Sequence, residues 1–411
     1  MKTSNAKAYL FAGLFAAYAG LMLANPVFPP LARELGLTEL QAGMVISAAA
    51  LVFAIGSPFW GWLSDRIGRK PVFVTGLAGI GVSFMLFAGA AYLGLTGVLT
   101  GVALLAALFA TRVILGALIG AVPVSAQAYM ADITAGADRS AGMAFIGAAN
   151  GLGTLLGPAL AALLVTFGLL APFYAGALIA LLAALALCIL MPPSPQKQKM
   201  DAPPKIMPWD KRVWPLLFLG AVTVTVIVLL QITLGFYLID RFALRPVDAA
   251  QTAAIGLFVV GIALAVVQGV LVTRFKWSPR TLLRAGAPIM VLGLVGAVVA
   301  PSIALLLAAF AVMGIGGGLL FPGFTSAASL AVSADEQGAI AGLNSATNGA
   351  GAVIGPLIGT ALYQMQITAP YIASALLFAL LTVFVWAHPS IRRAVTGDAP
   401  AKNYAGTKRS I

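Results

Sequence analysis

Residues 61–70 read Gly61-Trp-Leu-Ser-Asp-Arg-Ile-Gly-Arg-Lys70 and lie between two long apolar runs. Asp65 and the bases Arg66, Arg69 and Lys70 crowd into a stretch of chain that is otherwise almost free of charge. Gly68 permits a turn that a side chain would hinder. A short basic turn joining two membrane helices belongs at a cytoplasmic surface, because Lys and Arg are retained on that side.

Composition outside this turn agrees with a membrane setting. The chain has 411 residues, 61% hydrophobic and 9% charged, with a mean hydropathy of +1.01. A soluble domain carries about 25% charged residues, so the bulk of this chain must face lipid. A spanning helix needs about 20 mostly apolar residues. That length predicts spans at 8–31, 42–63, 71–92, 98–130, 141–165, 171–191, 213–238, 250–272, 282–300, 303–331, 338–363 and 370–388. The N-terminal run, which carries Lys2 and Lys7 and no small-residue cleavage site, reads as a first membrane helix rather than a removed signal.

The net charge is +12. With the N-terminus inside, 20 of the 24 Lys and Arg residues fall in inner segments, and only Arg33, Arg241 and Arg245 fall outside. Both termini are therefore expected in the cytoplasm. The basic clusters sit in loops between apolar spans and have no interleaved aromatics, so they set topology and imply no nucleic-acid partner. Residues 192–212 carry Pro192, Pro193, Pro195, Pro203, Pro204 and Pro208 among basic residues. They read as a cytoplasmic linker between an N-terminal six-helix bundle (1–191) and a C-terminal one (213–390), with a cytoplasmic tail at 391–411. Cys188 is the only cysteine and His388 the only histidine, which leaves no disulfide and no metal cluster.

The halves repeat. Asn150-Gly-Leu-Gly-Thr-Leu-Leu-Gly-Pro158 matches Asn348-Gly-Ala-Gly-Ala-Val-Ile-Gly-Pro356, and the same offset carries Gly116 onto Gly314 and Gly120 onto Gly318. Small residues four apart, at Gly153/Gly157 and Gly351/Gly355, give faces where helices pack closely. Pro158 and Pro356 each remove a backbone hydrogen bond and bend their helices. Asp65 ends the second span and could face the N-terminus of the eleventh near Gly338, where unpaired N–H groups favour a carboxylate. Asp132 ends the fourth span and could pair with Arg66 or Arg69. Arg112 is the one charge well inside a span, about 15 Å of helix rise from its end. A charge at that depth costs several kcal/mol, so it should face the bundle interior, where it could hold an anionic group. Polar candidates for a substrate cavity are Tyr18, Asn25, Gln127, Asn150, Gln231, Tyr237, Asn344 and Asn348; each alone more often serves a helix–helix hydrogen bond. No acidic residue falls in mid-span, and Asp240 comes nearest. A buried cation needs a carboxylate partner, so this absence disfavours a cationic ligand and favours a neutral, zwitterionic or anionic one.

The turn at Gly61, Asp65, Arg66, Gly68, Arg69 and Lys70, the Arg112-x-x-x-Gly116-x-x-x-Gly120 pattern and Gly153-x-x-x-Gly157-Pro158 together resemble motifs of the major facilitator superfamily. The resemblance extends over nearly the whole chain, and its fifth-span motif is similar to that of bacterial drug and metabolite antiporters. It departs from them in Ala161-Ala162, where a Gly-Gly pair is usual. The fold it implies is an all-α integral membrane protein of twelve transmembrane helices in two pseudo-symmetric six-helix bundles. It implies that the 61–70 turn and Asp132 form a latch favouring the outward-open state, that Arg112 couples protons to substrate, and that the fifth-span face closes the cytoplasmic side. The activity implied is proton-coupled efflux of a small organic molecule across the inner membrane by alternating access. The expected partners are a small-molecule substrate, protons and the lipid bilayer, for a monomer without cofactors. Export of one anionic metabolite, such as a carboxylate siderophore or an organic acid, is the alternative. A membrane receptor or scaffold is a further one, disfavoured by the intact motifs. The sequence has no nucleophile–base pair or phosphate loop to suggest an enzyme, and Gly316-Gly317-Gly318 lies within an apolar span.

Overall fold

The computed structural model describes residues 3–134, 138–194 and 206–387. Lys2, the middle of the linker, His388 and the tail lie outside the described residues, among which there is no strand. With no water in the hydrocarbon core, a lipid-exposed chain must satisfy its backbone internally, and helices do so. Eleven helices are long and apolar enough to span: α1 (Asn5–Glu34), α2 (Glu39–Ile67), α3 (Arg69–Leu95), α4 (Gly101–Ile133), α5 (Ala141–Phe167), α6 (Ala171–Leu190), α7 (Trp214–Phe242), α8 (Pro246–Phe275), α9 (Pro279–Val299), α10 (Ile303–Leu330) and α12 (Ala369–Ala387). α11 (Gln337–Met365) is as long, but Gln337, Asn344, Ser345 and Asn348 dilute its first half. These twelve helices fall where the apolar runs predict. Most extend a few residues further, and the fourth begins at Gly101 rather than 98.

Local sequence sets the ends and breaks. Thr38 and Gln41 form a reciprocal capping box that starts α2: the Thr38 hydroxyl accepts from the Gln41 N–H at 3.3 Å, and the Gln41 side chain accepts from the Thr38 N–H at 2.9 Å. Gly68, at φ +98°, separates α2 from α3 in a conformation that favours glycine. α1 is interrupted by a turn at 25–27, and α8 carries a π-helical segment at Val267–Val272 that periodicity alone does not foretell.

The halves pack in equivalent ways. α1 packs on α5 as α7 packs on α11, α2 on α4 as α8 on α10, and α3 on α6 as α9 on α12. Gly153 and Gly157 make the first of these contacts: a Cβ on Gly153 would lie 2.8 Å from Tyr18 Cβ, and one on Gly157 2.9 Å from the Ala19 carbonyl. In the second half Gly351 and Gly355 meet Val224 and Thr225 of α7 in the same way. The two glycine–proline faces therefore close within each bundle. Gly116 sits against the Ala49 backbone of α2, and Gly314 against Val260 of α8. Gly61 is different. A Cβ there would meet Val124 at an ordinary 3.6 Å, so Gly61 makes no close helix contact in this state.

Contacts between the halves gather at one end. The end that bears the 61–70 turn is called the basic face below. Near the opposite face, α2 meets α11: Gly43 is packed against Pro356 and Thr360, and the Ser47 hydroxyl donates to the Val353 carbonyl at 2.7 Å. α5 meets α8 through Leu155 on Gly261 and through Gln251, which donates to the Ala162 carbonyl at 3.2 Å. Pro29 and Pro30 of α1 press on Gly235 of α7. Toward the basic face, α5 and α11 stand clear of their neighbours at Gly147, Gly151, Gly342 and Gly349, where an added Cβ would meet nothing within 4 Å. The halves are thus joined at the opposite face and parted at the basic face.

Candidate functional site: a central cavity and its two ends

Where the halves part lies a cavity of about 380 Å³. Its walls are mostly apolar and come from both halves, with Leu21, Phe28, Phe53 and Leu115 on one side and Val228 and Ala352 on the other. Four polar side chains interrupt them: Tyr18 and Asn25 from α1, Arg112 from α4 and Gln231 from α7.

Arg112 is buried, at 7% exposure. Its guanidinium lies 4.2 Å from the centroid of Phe87 and 5.3 Å from that of Phe28. Such contacts supply about 0.5–2 kcal/mol. Its Nε has no hydrogen-bond partner, and among the described residues no carboxylate pairs with it. Two aromatic faces do not replace a counter-ion at a depth that costs about 2.5–3.5 kcal/mol by insertion scales. The cavity therefore presents an unneutralised cation beside apolar walls, which suits an amphipathic molecule with an anionic or strongly electronegative group.

The remaining cavity candidates lie elsewhere. Tyr237 is fully buried in the second half, with its ring centroid 4.6 Å from that of Tyr371 and its hydroxyl donating to the Ala297 carbonyl at 3.0 Å. It is a core residue rather than a cavity residue. Gln127, Asn150, Asn344 and Asn348 occupy the basic-face halves of α4, α5 and α11, outside the cavity wall. Gln127 and Asn348 are exposed; Asn150 and Asn344 are half-buried, each with an Oδ1 that lacks a partner.

At the basic face, Arg69 gathers the first half's charges. It pairs with Asp65 across the Gly68 turn, its Nε donates to Asp132 at 3.1 Å, and its Nη1 donates to Ser64 at 3.3 Å. Arg66 instead stacks over Trp62 at 4.0 Å. Asp65 is half exposed and turned to Arg69, so its expected contact with the N-terminus of α11 near Gly338 is not made here. The α2–α11 contact lies at the other end of both helices, and the basic-face ends have separated. The linker is held at both ends. The Ser194 hydroxyl donates to Asp132 at 3.3 Å, and Tyr129 donates to the Pro192 carbonyl at 2.9 Å. Arg212 grips Glu336 through two 3.0 Å hydrogen bonds and also pairs with Asp210. The Arg212 guanidinium, helped by the Ser333 N–H, pulls the Glu336 carboxyl down to about 2.

At the opposite face, Arg33 pairs with both Asp240 and Glu39, each at 2.6 Å. Sequence reading missed this cluster. Its signal was present, since the few acids and bases of the outer segments fall near one another only if the halves are laid side by side.

Comparisons with known proteins follow the same lines. The model of the Major Facilitator Superfamily matches residues 10–303 and again 262–404. The chain belongs to the major facilitator superfamily. It is thus a multi-pass membrane transporter, of a class that moves small molecules rather than transforming them. Similar proteins include the tetracycline resistance protein, class G, of Vibrio anguillarum, 31% identical over 382 residues, covering 89% of this chain and 91% of the relative. Multidrug resistance protein 2 of Bacillus subtilis (strain 168) is 26% identical over 376 residues, covering 88% and 90%. Among solved structures, a bacterial homologue of the human lysosomal transporter Spinster, in an inward-facing and occupied conformation, has the same fold. Its TM-score is 0.73 at 13% identity, covering 95% of this chain and 97% of that one.

Proposed function

We propose that this transporter exports a small organic molecule from the cytoplasm, driven by protons moving inward. The observation that carries the reading is the cavity between the halves, closed by side chains at one face and reached from the other. With the basic face in the cytoplasm of a plasma or inner membrane, and both termini there, the structure is inward-open and ready to load cargo. Residues 1–191 and 213–390 are the two bodies that rock about the cavity, joined by the linker at 192–212, and one chain suffices for the cycle. In the outward-open state the basic-face ends would close, Asp65 would reach the N-terminus of α11, and the latch would form. The tetracycline- and multidrug-resistance relatives support an organic cargo.

Arg112 favours a narrower second reading, in which the cargo bears an anionic group. A nine-tenths buried guanidinium without a counter-ion among the described residues is a poor element for a cationic drug, and no mid-span carboxylate offsets it. The test is efflux from proteoliposomes of defined orientation, using a panel of anionic, neutral and cationic organic compounds. Collapse of the pH gradient should stop export. Continued flux after collapse would replace antiport by facilitated diffusion, and export confined to cations would remove the role given to Arg112.

A further inference from the structure

The contacts at the opposite face differ from an ordinary ion pair in the way they are divided between the halves. Arg33 ends α1, and Glu39 starts α2, so both belong to the first half. Asp240 on α7 and Tyr363 and Gln364 on α11 belong to the second. Three contacts cross the divide: Arg33 Nη2 to Asp240 Oδ2 at 2.6 Å, Gln364 Nε2 to Glu39 Oε2 at 3.3 Å, and the Arg33 guanidinium over the Phe236 ring at 5.2 Å. Two contacts stay within a half: Arg33 Nη1 to Glu39 Oε1 at 2.6 Å, and the Tyr363 hydroxyl to Asp240 Oδ2 at 2.8 Å. Arg33 and Asp240 are each part exposed, at 33% and 29% of the side chain.

From this division the geometry points to an exchange clasp, in which Glu39 and Asp240 share the guanidinium of Arg33 through different nitrogens, Glu39 keeps it when the halves part, and the two acids thereby set how readily the opposite face opens. When the halves part, Arg33 gives up Asp240 but keeps Glu39, and Asp240 gives up Arg33 but keeps Tyr363. Neither charge is left without a partner. Leaving a half-buried charge unpaired is the main cost of breaking such a pair, and the in-half partners remove it. The clasp is firm enough to bias the closed face and cheap enough to release in each cycle. Arg33 is a positioning residue for transport, since it acts through the tilt of the halves and lies outside the cavity wall.

Opposite effects from two acids bound to one base follow. Removing the charge of Asp240 loosens the clasp. Removing the charge of Glu39, as in Glu39→Gln, takes away the partner that Arg33 keeps on opening, while the new amide still accepts from Gln364, and so tightens the clasp. A part-exposed pair is worth about 1 kcal/mol, so each change moves the open-to-closed ratio roughly fivefold, in opposite directions. An ion pair that merely holds the fold together would respond in the same direction to both.

The inference rests on alternating access, and the experiment separates the two. The full chain carries Ala50→Cys, in the cavity wall, in a Cys188→Ser background, and is reconstituted in vesicles. A membrane-impermeant maleimide is applied from the face bearing Arg33, with no substrate and no pH gradient, so that labelling reports only opening of that face. Asp240→Asn should raise the labelling rate about fivefold, and Glu39→Gln should lower it about fivefold. Arg33→Gln should raise it, and carries the loosening arm should Asp240→Asn fail to insert. Equal rates in Asp240→Asn and Glu39→Gln, or shifts of the same sign, would overturn the clasp while leaving alternating access intact. Labelling absent from that face in the parent and in every variant, yet present from the basic face, would overturn alternating access itself.

Discussion

Replacing Arg112 by Met should strengthen the fold and weaken the transporter. Arg112 is nine-tenths buried, has an unpartnered Nε, lies over two aromatic faces and pairs with no carboxylate among the described residues. Its removal forfeits two cation–π contacts of about 0.5–2 kcal/mol each. It also relieves a burial cost of about 2.5–3.5 kcal/mol that no counter-ion offsets. At mid-range the balance is a stabilisation of about 0.5 kcal/mol, seen as a small rise in the melting temperature of the purified protein. Binding moves the other way. A charge-assisted hydrogen bond to an anionic ligand contributes about 1.5–3 kcal/mol net, so its loss weakens binding roughly 10- to 150-fold. Neutral analogues of the same shape, held by the apolar walls, should change little. Calorimetry or a binding assay with matched anionic and neutral compounds reads the second effect, and thermal unfolding reads the first. A lower melting temperature would mean that Arg112 has a structural partner. An unchanged affinity for the anion would mean that the cargo does not meet it.

Other outcomes follow from the two ends. Asp65→Asn should lower efflux without reducing membrane insertion, because the outward-open latch loses its carboxylate; normal flux in proteoliposomes would end the latch argument. The Glu336 carboxyl is held at about 2, below its unfolded value, so its contribution is present above about pH 4.5 and is lost as pH falls through 2. The pair is largely solvent-screened, and that contribution is worth less than about 1 kcal/mol. Melting temperatures followed from pH 6 to pH 2 should show it, and Arg212→Gln should flatten that part of the curve. Gly116→Ala drives a Cβ into the Ala49 backbone, with Ala49 Cα at 2.9 Å, and should destabilise by about 1–3 kcal/mol. Gly349→Ala, with open space around it, should be neutral or stabilising by about 0.5–1 kcal/mol. Equal melting temperatures for the two glycine variants would refute the packing assigned to α2 and α4.

Much of this molecule can be read along the chain. Span count, the linker's place, the Gly68 turn and the offset between Asn150–Pro158 and Asn348–Pro356 are local or repeating properties, and each is written in a short run of residues. Arg112 also announces itself, because a cation deep in an apolar run must have a reason to be there. The cavity wall is less legible. A helix turns about 100° per residue, and α4 and α7 are too uniformly apolar for the sequence to show which side faces inward. Hence Gln231 lines the cavity while Tyr237, less than two turns along the same helix, packs on Tyr371.

The sequence by itself determined that this is a lipid-embedded chain of twelve helices, duplicated, with its bases gathered at one face. Only the tertiary structure decided which face is closed, that Asp65 turns to Arg69 instead of α11, and that Arg33 bridges the halves. The physical reason is that helix formation in lipid is enforced residue by residue by backbone hydrogen bonding and apolar transfer. The tilt of one bundle against the other is a small difference between two packings of the same helices, settled by a few side chains that meet only after the fold is made.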